Sequence, residues 1–142
     1  MTVRNGSAAF VDTNILIYVV SPSDPRSALA NRLVDELLST ERFRTSTQVL
    51  QEFIAVATRK IELKLSMRSA LEYLEVWTSC RVVLIDYPAI REAAHLSDDR
   101  QLSFWDSLIV VAAKRCGATR LYTEDLNHGQ IIDGVEIVNP FR

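Results

Sequence analysis

The sequence predicts an α/β sandwich around a mostly parallel sheet, and three observations carry that reading. Short apolar runs alternate with longer segments whose apolar residues recur at helical spacing, the order in which strand–helix units are written. The first run, Ala8-Ala9-Phe10-Val11, shows no polar alternation, as befits a strand covered on both faces. Acidic residues follow two of the runs at once, Asp12 and Asp125, and open sheets of this class form their sites beyond the carboxyl ends of the strands.

Taken in order, the run at 8–12 ends at Asp12, and an apolar helix begins near Ile15. Asp24-Pro25 then offers an N-cap and a first-turn proline for a helix striped by Leu29, Leu33 and Leu37, with Ala30, Val34 and Leu38 beside them. Phe43-Arg44-Thr45-Ser46 is a weaker strand, and Ser46 or Thr47 caps the next helix. There Val49, Phe53 and Val56 fall together on the wheel. Glu52, at about sixty degrees from Val49, borders that stripe, and Arg59 follows two turns later on nearly the same line. Ser66 caps a helix with Ala70, Leu71, Leu74 and Trp77 at core spacing. Val82-Val83-Leu84-Ile85 reads as the clearest buried strand. Pro88 opens a short helix through Ile90, Ala93 and Ala94 that ends near Ser97-Asp98-Asp99. Phe104 to Cys116 is a strongly apolar helix stopped by Gly117. Leu121-Tyr122-Thr123 is a strand ending at Glu124-Asp125, and Val135-Glu136-Ile137-Val138, closed by Asn139-Pro140, is the last one.

A chain of 142 residues fits one domain, 1–142, and its 48% hydrophobic and 24% charged residues place it with globular rather than disordered proteins. No stretch approaches the ~20 apolar residues that span a membrane. One early arginine, Arg4, and the interruption at Asp12 argue against a secretory signal. Cys80 and Cys116 lack any metal or CxxC spacing and read as free thiols in a reducing cytoplasm. A net charge of −2 argues against a protein that wraps duplex nucleic acid through a broad basic face. An enzyme that handles nucleic acid locally is not excluded by it.

Four carboxylates, Asp12, Glu52, Asp106 and Asp125, stand beside apolar sequence instead of in solvated runs. Brought to one sheet edge, they need a counter-charge, and oxygen-only ligands select Mg2+ or Mn2+ over zinc. Phosphodiester hydrolysis is the matching reaction. Each residue alone has a plainer explanation. Asp12 caps a helix, Glu52 pairs with Arg59 or Lys60, Asp106 answers a helix dipole, and Asp125 belongs to a turn. Their joint placement is the stronger argument. Asp98-Asp99 and the surface-loop His128 are read as solvated, and His95 and both cysteines as structural. Arg59, Lys60, Lys64 and Arg68 are equally well a solvated basic face or guides for RNA phosphates.

Phe10-Val11-Asp12-Thr13-Asn14, Glu52, Phe104-Trp105-Asp106-Ser107-Leu108 and Leu121-Tyr122-Thr123-Glu124-Asp125-Leu126 resemble the ordered signature of the PIN domain, and most of all its VapC-type ribonuclease toxins. The resemblance runs to the closing Ile137-Val138-Asn139-Pro140-Phe141. It implies a Rossmann-like three-layer fold and an Mg2+- or Mn2+-dependent endoribonuclease. It further implies a homodimeric toxin of a type II pair, restrained by a cognate antitoxin. Asp12 and Asp106 would be the most direct metal ligands, with Glu52 and Asp125 acting through water or on a second metal. Thr13, Asn14 and Thr123 match supporting positions, and Glu124 is close enough to share the role of Asp125. Two other functions are weighed: an aspartyl-phosphate phosphotransferase using Asp12, and a PIN-like module that only binds RNA or a partner.

Overall fold

In the computed structural model, residues 6–60 and 62–142 are described, and Arg4 lies outside them. Strand β1 (Ala9–Val11) runs up the middle of the sheet, fully buried, between β2 (Phe43–Ser46) and β4 (Arg120–Tyr122), and is parallel to both. Phe10 sits in register with Arg44 on one side and Leu121 on the other. With β3 (Val82–Val83), β5 (Ile131–Ile132) and β6 (Val135–Val138), the six strands are ordered β3-β2-β1-β4-β6-β5, and only the β5–β6 pair is antiparallel. The expected α/β sandwich with a mostly parallel sheet is therefore the observed architecture.

Helices α1 (Thr13–Val19) and α2 (Ser27–Ser39) connect β1 to β2, and α3 (Thr47–Arg59) and α4 (Met67–Trp77) connect β2 to β3. Right-handed crossovers place these on one face. The return from β3 to β4, through α5 (Tyr87–Arg100) and α6 (Phe104–Arg115), covers the other, with α6 against β2, β4 and β6 and α5 packed on α6. This is why α6 is apolar all round: every residue from Ser107 to Ala113 is buried between sheet and helix. On the opposite face the rings of Phe53, Tyr73 and Trp77 lock α3 to α4, with Phe53 and Trp77 edge to face at 4.7 Å.

Ser46 and Ser66 cap α3 and α4 as expected, accepting the Val49 and Ser69 N–H groups, and Gly117 follows α6 with φ of 73°. Several expectations need correction. Asp24 does not cap α2. The helix starts at Ser27, and the Asp24 carboxylate instead accepts the backbone N–H and guanidinium of Arg26. Helix α1 begins at Thr13, two residues before Ile15. The run 82–85 is not the best buried strand. Only Val82 and Val83 pair, at the sheet's edge, and Leu84 is 71% exposed. Leu71 on α4 and Ile90 on α5 face solvent, the buried positions being Ala70 and Trp77, and Ala89, Ala93 and Leu96. Helix α5 is also longer than expected, capped by Asp86 and running to Arg100, where Gln101 turns left-handed.

The β5–β6 hairpin has no counterpart in the sequence reading. Its turn is Asp133-Gly134, with φ of 49° and 84°, the positive pair that a two-residue type I′ turn requires. Across the sheet Arg120 and Glu136 sit opposite one another in register, 3.6 Å apart.

Candidate active site

Strand order reverses at β1, whose chain continues to β2 on one side while β4 arrives on the other. Such a switch point leaves a crevice at the carboxyl ends of the two strands. Asp12 closes β1 at this point, and Thr123-Glu124-Asp125 follow β4.

Asp12 is 5% exposed. One carboxylate oxygen accepts the Thr13 N–H at 2.7 Å, so its capping role is real, and the other accepts the Thr123 hydroxyl at 2.8 Å. Burial dominates its acidity and raises the pKa to about 7. The two hydrogen bonds pull it down, and the negative charges of Asp125 and Glu52 push it up. Thr123, fully buried, is the hub: its hydroxyl donates to Asp12 and accepts from the Asp125 N–H at 3.0 Å and the Asn14 amide at 3.4 Å.

Glu52 reaches the same crevice from α3. It accepts the Thr13 hydroxyl at 2.8 Å and the Gln48 amide at 3.4 Å. It makes no ion pair with Arg59 or Lys60. Arg59 donates to the Ala55 carbonyl, and both cations lie exposed at the far end of α3, ~10 Å of helix rise beyond Glu52. Lys64 and Arg68 are exposed further on. Asp106 stands in the first turn of α6, its N–H donated to the Ser103 cap at 3.0 Å. Its charge is felt at Asp125, whose pKa is raised first by partial burial, then by Asp106 and Glu124, against a lowering bond from Asn14.

Glu124, the neighbour that left Asp125's role ambiguous, faces elsewhere. It accepts the Tyr18 hydroxyl at 2.6 Å and pairs with Arg26 at 3.3 Å. Arg26 also pairs with Asp24 at 2.9 Å and lies 4.1 Å over the Tyr18 ring. Its guanidinium holds the Asp24 carboxyl at about 2, while burial and the Glu124 bond raise the Tyr18 phenol to about 12.

These donors are all oxygen, the set suited to a hard divalent cation. On two neighbouring side chains that bond to the site through their amide nitrogens, the buried oxygens Asn14 Oδ1 and Gln48 Oε1 have no hydrogen-bond partner. The carboxylates do not form a closed cage as they stand: among the described residues no three His, Cys, Asp or Glu side chains are grouped to hold a metal ion. The donor chemistry fits such a cation. Gln48 escaped the sequence reading, although its i, i+4 relation to Glu52 was the available signal.

The remaining candidates stay peripheral. Asp98, Asp99 and His95 are exposed on α5. His128 is exposed and pins its loop by accepting the Asn139 N–H at 3.0 Å. Cys80 and Cys116 are unpaired, half-buried and buried respectively. No helix among the described residues is long and apolar enough to cross a membrane.

The profile of the PIN domain matches residues 9–132. No curated protein matches the chain in sequence. Among solved structures it is similar to VapC20 of Mycobacterium tuberculosis, a Sarcin-Ricin loop cleaving toxin, with a TM-score of 0.65 and 23% identity over 83% of this chain and 90% of that one. It is also similar to a chain of VapBC2 from Rickettsia felis bound to a promoter DNA fragment, at a TM-score of 0.67 and 16% identity over 92% and 96%. A chain of FitAcB from Neisseria gonorrhoeae gives a TM-score of 0.67 and 19% identity over 94% and 98%.

Proposed function

The chain belongs to the PIN domain family, and from that premise we propose that it is a divalent-metal-dependent endoribonuclease, the toxin of a type II toxin–antitoxin pair. The observation that carries this reading is the hydrogen-bonded chain Glu52–Thr13–Asp12–Thr123–Asp125, which joins the Glu52 and Asp12 carboxylates and the Asp125 N–H at the switch-point crevice. Similarity to structures of toxins and of toxin–antitoxin complexes supports it.

Asp12 and Asp106 would hold Mg2+ or Mn2+ directly, and Glu52 and Asp125 through water or at a second position. When bound, such a cation lowers the pKa of a coordinated water and neutralises charge on a phosphate. The protein's own part is orientation. Thr13 and Thr123 fix the Glu52 and Asp12 carboxylates, Asn14 steadies Asp125, and the Ser103 cap sets the first turn that carries Asp106. Glu52 or Asp125 would accept the proton of the attacking water. Arg59 and Lys60 would steer phosphates farther along the strand. A cognate antitoxin and a second copy of this chain are the expected partners, in the cytoplasm. An aspartyl-phosphate reaction at Asp12 would leave Glu52 and Asp106 without a role.

The test is cleavage of total cellular RNA by purified, antitoxin-free protein with Mg2+ or Mn2+, with EDTA, and beside Asp12→Asn and Asp106→Asn. Discrete fragments that require metal and vanish in both variants are expected. Full activity in either variant would refute the assignment, and a folded, metal-bound protein that binds RNA without cutting it would be a binding module.

A further inference from the structure

Helix α6 is buried on every side from Ser107 to Ala113, yet its first turn emerges, and there Trp105 is 62% exposed beside Asp106. Single exposed apolar side chains are ordinary on a protein surface, and Leu84 and Tyr87 are others here; what marks Trp105 is its place next to Asp106 and its backbone link to the site. The ring is set firmly all the same. Phe104 packs near it edge to face at 5.4 Å, and the Ser103 cap fixes the turn. The Trp105 carbonyl accepts the amide of buried Gln48 at 3.4 Å, the same amide group that reaches Glu52. One side chain thus ties the backbone under the exposed ring to a carboxylate of the site.

We propose that Trp105 is a substrate-binding residue that stacks on an unpaired base of the RNA strand whose phosphate enters the carboxylate crevice. The proposal rests on the ribonuclease reading above and names how that site would grip its substrate. Successive helical residues diverge by about 100°, so Trp105 flanks the crevice while Asp106 turns into it. A strand laid with a phosphate at Asp106 carries a base outward along the side where the ring stands. Aromatic platforms of this kind hold single strands with little regard to sequence. A protein partner's anchor would sit in a wider apolar patch, and the other large apolar side chains exposed on α5 and α6, Tyr87 and Ile90, belong to the other end of that pair, where Arg115 meets Asp86 and Glu92.

The chain supplies its own probe. It has two tryptophans, and Trp77 is 2% exposed, so emission open to acrylamide is that of Trp105. Full-length Asp125→Asn protein, which keeps Asp12 and Asp106, would be titrated in Mg2+ with a short oligoadenylate and with an abasic oligonucleotide of equal length. Shielding of Trp105 from acrylamide by the oligoadenylate alone is expected. Trp105→Ala should bind oligoadenylate about tenfold more weakly, with Trp105→Phe in between. Equal affinity in Trp105→Ala, or equal shielding by the abasic strand, would overturn the stack. So would a ring left open by RNA and covered only when a partner protein binds. Metal-dependent cleavage by the wild type with Trp105 still open would remove this proposal and leave the ribonuclease reading standing; neither cleavage nor RNA binding would remove both.

Discussion

The buried Asp12 carboxylate sets up a stability test that requires no substrate. Its pKa is about 7 in the folded chain against 3.8 for an unperturbed aspartate. Between those values the folded protein holds a proton that the unfolded chain has already lost, so stability falls as pH rises. The penalty is absent below about pH 4 and complete above about pH 7. About three units at 1.36 kcal/mol each give ~4 kcal/mol, an upper figure because a relaxed site admits water. At ~3 °C per kcal/mol for a domain of this size, that is about 12 °C in Tm. Asp125, also raised, adds a slope of the same sign. The assay is thermal unfolding in EDTA at about pH 5, 6, 7 and 8 for wild type and Asp12→Asn. The difference between the two curves should grow with pH in favour of the variant. Any cost of the amide's altered bonds to Thr13 and Thr123 shifts one curve uniformly and leaves the slope untouched. Mg2+ or Mn2+ should restore the wild type at high pH and leave Asp12→Asn nearly unmoved. Parallel curves in EDTA would refute the reasoning, since Asp12 would then ionise as easily folded as unfolded.

Three further substitutions probe its neighbours. Thr123→Val keeps the shape of the hub but strips a bond that lowers the Asp12 pKa and leaves the Asp125 N–H without its acceptor. A loss of ~1–3 kcal/mol in urea unfolding and a higher pH midpoint for the stability slope are expected. Ser103→Ala removes the cap that fixes the Asp106 turn and should cost about 1 kcal/mol, with reduced cleavage at limiting metal and recovery at saturating metal. Glu124→Gln, whose side chain faces Tyr18 and Arg26, should retain metal-dependent cleavage, and Asp125→Asn assayed beside it should lose most of it.

How far the sequence could be read depended on whether the signal was local. Parallel architecture, the Ser46 and Ser66 caps and the Gly117 stop all rest on residues near in the chain, and each is found. The run 82–85 misled because apolar composition does not tell an edge strand from a central one; the pairing partners decide that, and β3 has β2 alone. Asp24 looked like a cap because Asp-Pro usually is one, but Arg26 two residues on captured the carboxylate. Asp133-Gly134 between isoleucines and Val135 was a legible hairpin signal that the reading passed over. At the site, motif order singled out Asp12, Glu52, Asp106 and Asp125. The roles of Gln48 and Arg26 depend on contacts across 57 and 98 residues of chain, which no local pattern encodes.

The ambiguity between Glu124 and Asp125 shows why position along the chain is not enough. Both lie in the bend that follows β4, and their side chains meet different surroundings. One side of that chain end faces α1 and α2, where Tyr18 and Arg26 neutralise Glu124. The other faces the crevice, where Asp125 meets the charge of Asp106 with no cation among the described residues within ion-pair distance. Two adjacent acids thus receive opposite treatment. One is satisfied and braces the α1–α2 corner against the strand, while the other keeps an unrelieved charge that a divalent cation would stabilise. The same contrast separates Asp24, drawn down to about 2 by Arg26, from Asp12, driven up to about 7 by burial. At the switch point Asp12, Glu52 and Asp125 have no ion-pair partner among the described residues, whereas Asp24 and Glu124 share Arg26.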